Sequence, residues 1–442
     1  MPADRTRLGG CVRLSPSLRR LRGTLNITMD KSAGVSGPAS RGHVDPAVVT
    51  ARIATNLVFG IHGLALAQWF VRIPDVKVQA GLDDGQLGLA LLGSAVGSVS
   101  TMPLAGALTS RLGSRRVTAL FAVLFAACFL LPGLANSQWT LFGGLVLFGM
   151  SVGGIDVAFN SQAGTVERRY GRVLMSGFHG AWSLANLLGA AIATPLVAVG
   201  IAPTPHLIVT GVVGGIAMFI VSRWFVVEEP HPSGEKARAV ARFTIPLVAV
   251  GTIAGLSLLV EGAVADWSGI YLRDVLGAPP ASAGIAFGAF SMTMAAARLL
   301  GDRVAARFAP RTVLATSSIL SGLGVAIAIA TPVQAITVAG FAVCGVGIGV
   351  TFPLALSAAS RLPGQASGAA IAAVATMGYA GFLAGPPLIG GVSRATSLAT
   401  GLAVAIGASA LMAMLTRLVP NGRVIGDERR AGMPADLDPA IA

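Results

Sequence analysis

Residues 117–155 read VTALFAVLFAACFLLPGLANSQWTLFGGLVLFGMSVGGI and contain no charged side chain over 39 positions. A helix that crosses a bilayer needs about 20 apolar residues, so this stretch is long enough for two. Its polar break is Asn136-Ser137-Gln138, which predicts the turn between them. Strands of a membrane barrel alternate over about 10 residues. The continuous apolar run therefore predicts a pair of membrane helices, in which each backbone group is hydrogen-bonded within its own segment.

The same pattern continues along the chain of 442 residues, 54% of them hydrophobic and 12% charged. Soluble domains carry about 25% charged residues, and a mean hydropathy of +0.74 leaves too little polar surface for one. This composition excludes an ordinary soluble enzyme, a disordered chain and a secreted disulfide scaffold. Two further runs hold two helices each, and six hold one each, which predicts twelve membrane helices in all. The two long runs are 173–222 and 312–360, and the six single ones are 53–71, 85–110, 243–260, 275–297, 362–393 and 395–416. We expect the helix of the run 243–260 to continue past Glu261 towards Trp267.

The cations predict the orientation of these helices. When successive loops are assigned to alternate sides, 28 of the 32 Lys and Arg residues fall on one side, which is typical of the cytoplasmic side. The other side holds Arg72, Lys77, Arg273 and Arg394. The net charge of +13 therefore indicates membrane orientation rather than nucleic-acid binding. We expect a multi-pass protein of the inner (plasma) membrane with both termini in the cytoplasm.

An internal repeat divides the chain into two halves. The segment RLGSRRV at 111–117 returns as RFAPRTV at 307–313, an offset of 196 residues. The same offset relates Gly88 to Gly284, Gly149 to Gly345, Gly153 to Gly349 and Gly189 to Gly385. The predicted fold is all-α, with two six-helix bundles at 51–226 and 243–419. The bundles are joined by a polar cytoplasmic linker, 227–242, and a cytoplasmic tail follows at 420–442.

The first 50 residues are polar and rich in Arg, without the apolar core of a secretory signal. We expect a disordered basic tail there. The alternatives are a misassigned start codon, with Met29 opening a more ordinary leader, and a transit peptide.

The loop after the second predicted helix, GALTSRLGSRR at 106–116, resembles a signature of the major facilitator superfamily. It departs from that signature at Ser110, where the pattern usually has Asp, whereas the second copy, RLLGDR at 298–303, keeps an acid. The resemblance implies the twelve-helix fold and charge clusters that close a cytoplasmic gate. Six residues match these clusters: Arg111, Arg115, Arg116, Asp302, Arg303 and Arg307. The alternative is that these arginines anchor cytoplasmic loops and nothing more.

A second resemblance lies in the fourth predicted helix, where GGIDVAFN at 153–160 is similar to a pattern of the fucose permeases. It implies a branch of sugar/proton symporters in which the acid of this helix carries the proton. The acid that these permeases have in their first helix has no clear counterpart in this sequence.

Acids inside a bilayer are costly and indicate function. Asp156 and Glu261 are the two acids that appear deep inside predicted helices, and we expect both to take part in proton coupling. Burial favours the neutral carboxyl, so such a group can load and release a proton as the cavity alternates. The alternative for Asp156 is a structural acid that pairs with an Arg of the next loop.

Polar residues at helical spacing predict a solute site in a central water-filled cavity. Asn160 shares a helix face with Asp156, and His179, Ser183 and Asn186 lie at i, i+4 and i+7 beside Trp182. Hydroxyl, amide and indole groups suit a sugar, a polyol or a nucleoside-like solute. A strongly ionic solute would require a buried Lys or Arg, and the sequence indicates none at mid-helix.

Proton-coupled symport of a small polar solute is the leading functional hypothesis. The alternatives are a proton-driven efflux antiporter for a drug or metabolite, and a non-transporting receptor or assembly protein on the same scaffold. No arrangement typical of an enzyme, a metal site or a nucleotide loop occurs, and the three cysteines are isolated. We therefore expect no cofactor and no metal. The expected partners are the solute, protons and the lipid bilayer, and we expect a monomer.

Overall fold

The computed structural model describes residues 45–171, 174–227, 242–363 and 367–420. Residues 1–44 of the predicted N-terminal tail, the C-terminal tail from residue 421 and most of the predicted linker lie outside these ranges. The end of the predicted N-terminal tail at residue 50 is wrong, because the first helix begins at Pro46. The described residues form thirteen α-helices and short 3₁₀ and π turns, with no strand among them. The helices are α1 Pro46–Gln79, α2 Asp84–Leu112, α3 Ser114–Cys128, α4 Gln138–Tyr170, α5 Met175–Ala198, α6 Pro203–Val221, α7 Ile245–Ile270, α8 Ala283–Arg307, α9 Pro310–Ala330, α10 Gln334–Ile348, α11 Thr351–Ala359, α12 Ser367–Ala395 and α13 Leu398–Leu415.

Four of the described helices, α1, α2, α4 and α13, begin at a residue whose side chain accepts from a free backbone N–H group of the first turn. Ser137 caps α4 in a capping box with Thr140, which explains why the predicted turn at 136–138 falls there. Asp83 caps α2 in the same way with Gln86. The predicted turn at 136–138 is confirmed, because α4 starts at Gln138 after the break that follows α3.

Eleven segments of the described chain are long and apolar enough to cross a membrane. One of them, Gln334–Ala359, consists of α10 and α11 in succession. The 29-residue helix α12 lies outside this set of eleven.

Three helices run further than the sequence predicted, because a charged residue does not end a helix when its side chain finds a partner. The run predicted at 53–71 is part of α1, which has 34 residues and includes Arg72 and Lys77. Similarly, α4 continues to Tyr170. Arg298, which was expected in a cytoplasmic loop, lies inside α8.

The 196-residue repeat is also present in the packing. Gly149 of α4 lies against the backbone of Ser94 in α2, and Gly345 of α10 lies against the backbone of Phe290 in α8. Both pairs are related by the same offset. A second glycine in each helix repeats the arrangement, Gly153 against Ser98 and Gly349 against Met294. The two halves of the chain therefore use equivalent contacts to pack equivalent helices.

The halves meet through helix pairs that the repeat also relates. Helix α2 packs on α12 and helix α8 packs on α5, and residues 45–420 lie in one compact unit. Gly88 touches the backbone of Pro386 and Gly390, while Gly284 touches Thr194. These contacts lie near the ends of the helices where α1 connects to α2 and α7 connects to α8. We call this the far end of the molecule, because it is opposite to the end at which α1 begins.

Candidate functional site

Asp156 and Asn160 lie near the middle of α4 and touch each other, as their spacing of four residues predicted. The Asn160 amide donates to the Asp156 backbone carbonyl at 2.9 Å and to its carboxylate oxygen Oδ1 at 3.3 Å. No cation pairs with this carboxylate among the described side chains. The phenol of Tyr379, from α12 in the other half, lies within electrostatic reach of it. The side chain of Asp156 is half-buried. No described cation compensates the charge of its carboxylate.

A second cluster joins α1 to α5. The Trp182 indole donates from Nε1 to His62 Nδ1 at 3.2 Å, and the Asn186 amide donates to the Trp182 carbonyl at 3.0 Å. His62 and Asn186 are 2% and 1% exposed. His62 Nε2 and Asn186 Oδ1 have no hydrogen-bond partner in the described part of the chain. Since buried polar groups are normally paired, these two atoms are free to meet a ligand or water.

The third cluster is built around Arg298, which is a correction to the sequence analysis. Its guanidinium donates to Glu261 Oε2 at 3.1 Å and Oε1 at 3.3 Å, and to Ser183 Oγ at 3.1 Å. Its Nε donates to the Gly349 carbonyl at 3.3 Å. The side chains of Arg298 and Glu261 are 15% and 13% exposed. A largely buried cation thus lies at mid-helix, where the sequence analysis indicated none.

Arg298 escaped the sequence analysis because it follows the uncharged run 275–297 and was assigned to the loop beyond it. The helix continues for two further turns, which keeps Arg298 beside Glu261 of α7. A buried acid needs a partner. The unpaired Glu261 was therefore the signal that could have identified Arg298.

His179 lies one turn before Ser183 on α5. Its ring meets the edge of Phe59 with the ring centroids 5.2 Å apart, and it lies within electrostatic reach of Arg298. The side chain is nevertheless exposed, so this part of α5 faces open space inside the molecule.

Ion pairs at the far end join the two halves. Arg273 donates to Asp75 at 2.6 Å, and Lys77 bonds to both Asp274 and Asp84 at 2.6 Å. We call the four residues of the two shorter cross-half pairs, Asp75, Lys77, Arg273 and Asp274, the far-end latch. A third cross-half pair, Arg394 with Asp83, is longer at 3.6 Å. The sequence analysis treated their cations only as exceptions to the charge count. The acids that lie within a few residues of these cations could have indicated the ion pairs.

The far-end latch rests on a buried polar network inside the first half. Arg72 is 1% exposed and donates to Asp75 at 2.7 Å and from Nε to His206 Nδ1 at 2.7 Å. His206 Nε2 in turn lies 2.7 Å from Gln68 Oε1. This network fixes Asp75, the acid that faces Arg273. It also corrects the assignment of Arg72 to an outer loop.

The predicted cytoplasmic gate does not form contacts in this structure as far as it is described. The side chains of five of its residues are exposed and take part in none of the described ion pairs: Arg111, Arg115, Arg116, Arg303 and Arg307. The side chain of Asp302 lies outside the described part. The gating role of these residues stays a prediction.

Known proteins resemble the chain in sequence and in fold. The model of the Major Facilitator Superfamily matches residues 51–386 and 250–435. An uncharacterized MFS-type transporter of Yersinia pestis is 33% identical over 369 residues, which cover 82% of this chain and 93% of the relative. The membrane protein MosC of Rhizobium meliloti is 31% identical over 403 residues, covering 90% and 95%.

Two solved structures share the fold at low sequence identity. The nucleoside transporter NupG superposes with a TM-score of 0.68 at 12% identity, covering 84% of this chain and 98% of its own. A bacterial homolog of the human lysosomal transporter Spinster, in an inward-facing and unoccupied conformation, gives 0.68 at 13% identity, covering 85% and 98%. At these identities the likeness concerns the fold alone.

Proposed function

The chain belongs to the major facilitator superfamily, and from this membership we propose that it moves a small polar solute across the membrane by alternating access, driven by proton symport. It is thus a multi-pass inner-membrane protein of a transporter family and not an enzyme. The proposed solute is a sugar, a polyol or a nucleoside-like compound. The proposed working unit is a monomer.

The observation that carries this proposal is the meeting of polar side chains from both halves at mid-helix. Ser183 of the first half and Glu261 of the second bind the same guanidinium. Asp156 of the first half faces Tyr379 of the second. Transporters of this architecture hold solute and coupling ions at the interface of their repeats. Hydroxyl and amide groups there suit a solute with several hydroxyl groups.

Asp156 is the proposed proton carrier. Its carboxylate has the Asn160 amide as its described donor and no cation. A carboxyl group without a fixed counter-ion can be neutralised by a proton, whereas one held by an arginine keeps its charge. The resemblance of 153–160 to the fucose permeases supports the same role. Glu261 is the second proposed coupling residue, and the solute contacts are proposed for Asn160, His179, Trp182, Ser183 and Asn186.

The proposed topology has twelve spans, with α12 as the eleventh span and α10 and α11 together as the tenth. Both termini are then cytoplasmic, and the far end faces the outside. In that orientation the far-end latch closes the outer side, and the exposed arginines of the predicted gate lie on the open inner side. The structure then corresponds to an inward-facing state.

The test uses the purified chain and its Asp156→Asn variant in vesicles. A thermal-shift screen against sugars, polyols, nucleosides and amino acids at two pH values supplies the solute, because a bound ligand raises the apparent stability. We expect Asp156→Asn to lose accumulation driven by a pH gradient while solute exchange continues. Asp266→Asn, which alters a half-buried acid of α7, is the matched control and should accumulate normally. Unchanged accumulation by Asp156→Asn would exclude it as the carrier.

A further inference from the structure

The Arg298 cluster contains a buried ion pair, which the binding of a neutral solute does not require. Its three partners come from three helices, Ser183 from α5, Glu261 from α7 and Gly349 from the end of α10. Taking an arginine and a glutamate out of water is costly, and replacing such a pair by apolar residues is often neutral or stabilising. A buried ion pair at mid-membrane therefore needs a reason other than stability.

The cluster is part of the polar surface already described. Ser183 lies one turn after the exposed His179, and Asn186, with its unpartnered Oδ1, lies one turn further along α5. Trp182, beside Ser183, connects to His62, whose Nε2 is also unpartnered. A cation and two buried polar atoms without partners thus lie within two turns of one helix. All three are joined to residues 182–186 of α5, by the Arg298–Ser183 and Trp182–His62 hydrogen bonds and by Asn186 itself.

We propose that the transported solute is a polyhydroxy carboxylate, such as a sugar acid, and that its carboxylate binds Arg298 in place of Glu261. This inference rests on the proposed transport function and names its solute class. A carboxylate is favoured because the guanidinium already holds one, with a single nitrogen bonded to both oxygens of Glu261. Arg298 is one cation, and it balances one negative charge.

The exchange conserves charge when Glu261 takes up one proton. Before binding, Arg298 and Glu261 neutralise each other. After binding, Arg298 and the solute carboxylate neutralise each other, and Glu261 is a neutral acid. No unpaired charge is left inside the membrane at either stage, which avoids the large cost of breaking a buried pair. One proton therefore accompanies one monoanion, and the two binding events assist each other equally.

Other titratable groups near this pair are few. Glu261 is faced by Arg298 of α8 and lies within electrostatic reach of the Cys344 thiol of α10. His179 of α5 is within reach of Arg298. On α7 itself, Asp266 lies more than one turn further along. Asp156 lies within electrostatic reach of Tyr379 of α12. Variants of Glu261 therefore separate its titration from that of Asp156.

The experiment measures binding to the purified full chain with matched probes, D-glucose against D-glucuronate and D-ribose against D-ribonate. Because Arg298→Gln strands the Glu261 charge and can misfold, the main variant is the neutral double replacement Arg298→Gln/Glu261→Gln. We expect it to lose affinity for the acids by roughly 10- to 150-fold, the range for hydrogen bonds to a charged group. Arg298→Lys should recover part of that loss, since the ammonium keeps the charge without the fork. Arg417→Gln, an exposed arginine of the last turn, is the matched control.

Glu261→Gln separates this proposal from a structural role. The wild-type dissociation constant for the acid should rise by up to about tenfold per pH unit as the pH increases, because the acid binds together with one proton. In Glu261→Gln the acid should bind at least as tightly, without that pH dependence, since the competing carboxylate is gone.

Two outcomes overturn the inference, and they differ in what else they overturn. Neutral sugars that bind as tightly as their acids, with affinity unchanged in the double variant and with proton-driven uptake, refute the carboxylate and leave the proposed transport function standing. If neither acids nor neutral probes bind or accumulate in a pH gradient, both the inference and the proposed solute class fail.

Discussion

The two carboxyl groups in the middle of the helices, Asp156 and Glu261, differ in what compensates their charge. Glu261 is held by Arg298 at 3.1 Å, whereas Asp156 has one amide donor at 3.3 Å and no described cation. The sequence analysis assigned both to proton coupling on the same ground of helix position. These different surroundings are the basis of the separate roles that we propose for them.

The hydrogen bond that Trp182 donates to His62 is expected to stabilise the site. Trp182→Phe removes the indole N–H and leaves both nitrogens of the buried His62 without a described partner. An unsatisfied buried polar group costs about 1–3 kcal/mol, so we expect a lower melting temperature and weaker solute binding. The measurement is thermal unfolding of the purified protein.

Trp139→Phe is the matched control, since Trp139 is 73% exposed at the start of α4. It should melt within error of the wild type. Equal melting temperatures for the two variants would mean that the Trp182–His62 bond contributes nothing to stability.

For individual side chains, the sequence predicted contacts within one helix and missed contacts between helices. The four-residue spacing of Asp156 and Asn160 gave their contact correctly. Ser183 and Glu261 were each predicted as site residues, but their shared partner Arg298 was not. Sorting cations by uncharged runs assumes that a charge ends a membrane helix, and a charge paired inside the protein does not.

At the scale of the helix, glycines set how closely neighbours approach. A side chain on Gly149 would overlap the backbone of Ser94 in α2, whereas Gly143 of the same helix has open space around it. Small residues at helix interfaces are the usual means of close packing in lipid, where no hydrophobic effect drives helices together.

Gly149→Ala is therefore expected to destabilise the protein by about 1–3 kcal/mol, the usual cost of overpacking. Gly143→Ala in α4 should be neutral or slightly stabilising, because Ala is the better helix former. Thermal unfolding of the two variants measures the difference. If Gly149→Ala melts at the temperature of Gly143→Ala, the α2–α4 contact is looser than the structure indicates.

The predicted apolar runs each overlap at least one helix of the structure, because caps such as Ser137 are encoded locally, but the break between α10 and α11 was not predicted. They did not predict helix lengths, because α1 and α8 extend through charged residues with partners elsewhere in the chain. The offset of 196 residues predicted equivalent packing in the two halves, as at Gly149 and Gly345.

For the whole molecule, we propose that the far-end latch holds one side of the transporter closed. Arg273→Gln removes the cross-half bond to Asp75, which keeps Arg72 as a partner. We expect the variant to populate the state that is open at the far end several-fold more than the wild type. The readout is the rate at which an impermeant maleimide labels the cysteine of a Thr194→Cys variant. Thr194 touches Gly284 in the closed state. The background carries serine at the three native cysteines.

Arg394→Gln provides the control at the same end of the molecule. Arg394 and Asp83 are 3.6 Å apart and 63% and 45% exposed, and such exposed pairs contribute about 0–1 kcal/mol. The labelling rate should change little. Equal labelling rates in Arg273→Gln and Arg394→Gln would show that the far-end latch does not control gating.

The Arg72–His206 bond also constrains the order of assembly. It joins the first helix of the first half to its sixth, so the partner of Arg72 is synthesised more than a hundred residues after Arg72 itself. Until α6 arrives, the guanidinium near the end of α1 must stay hydrated at the membrane surface. At the same offset of 196 the second half has Ser268 and the buried Leu402, an uncharged pair. Biogenesis of the first half therefore ends with the capture of a charge, whereas the second half has no charge to capture at the equivalent positions.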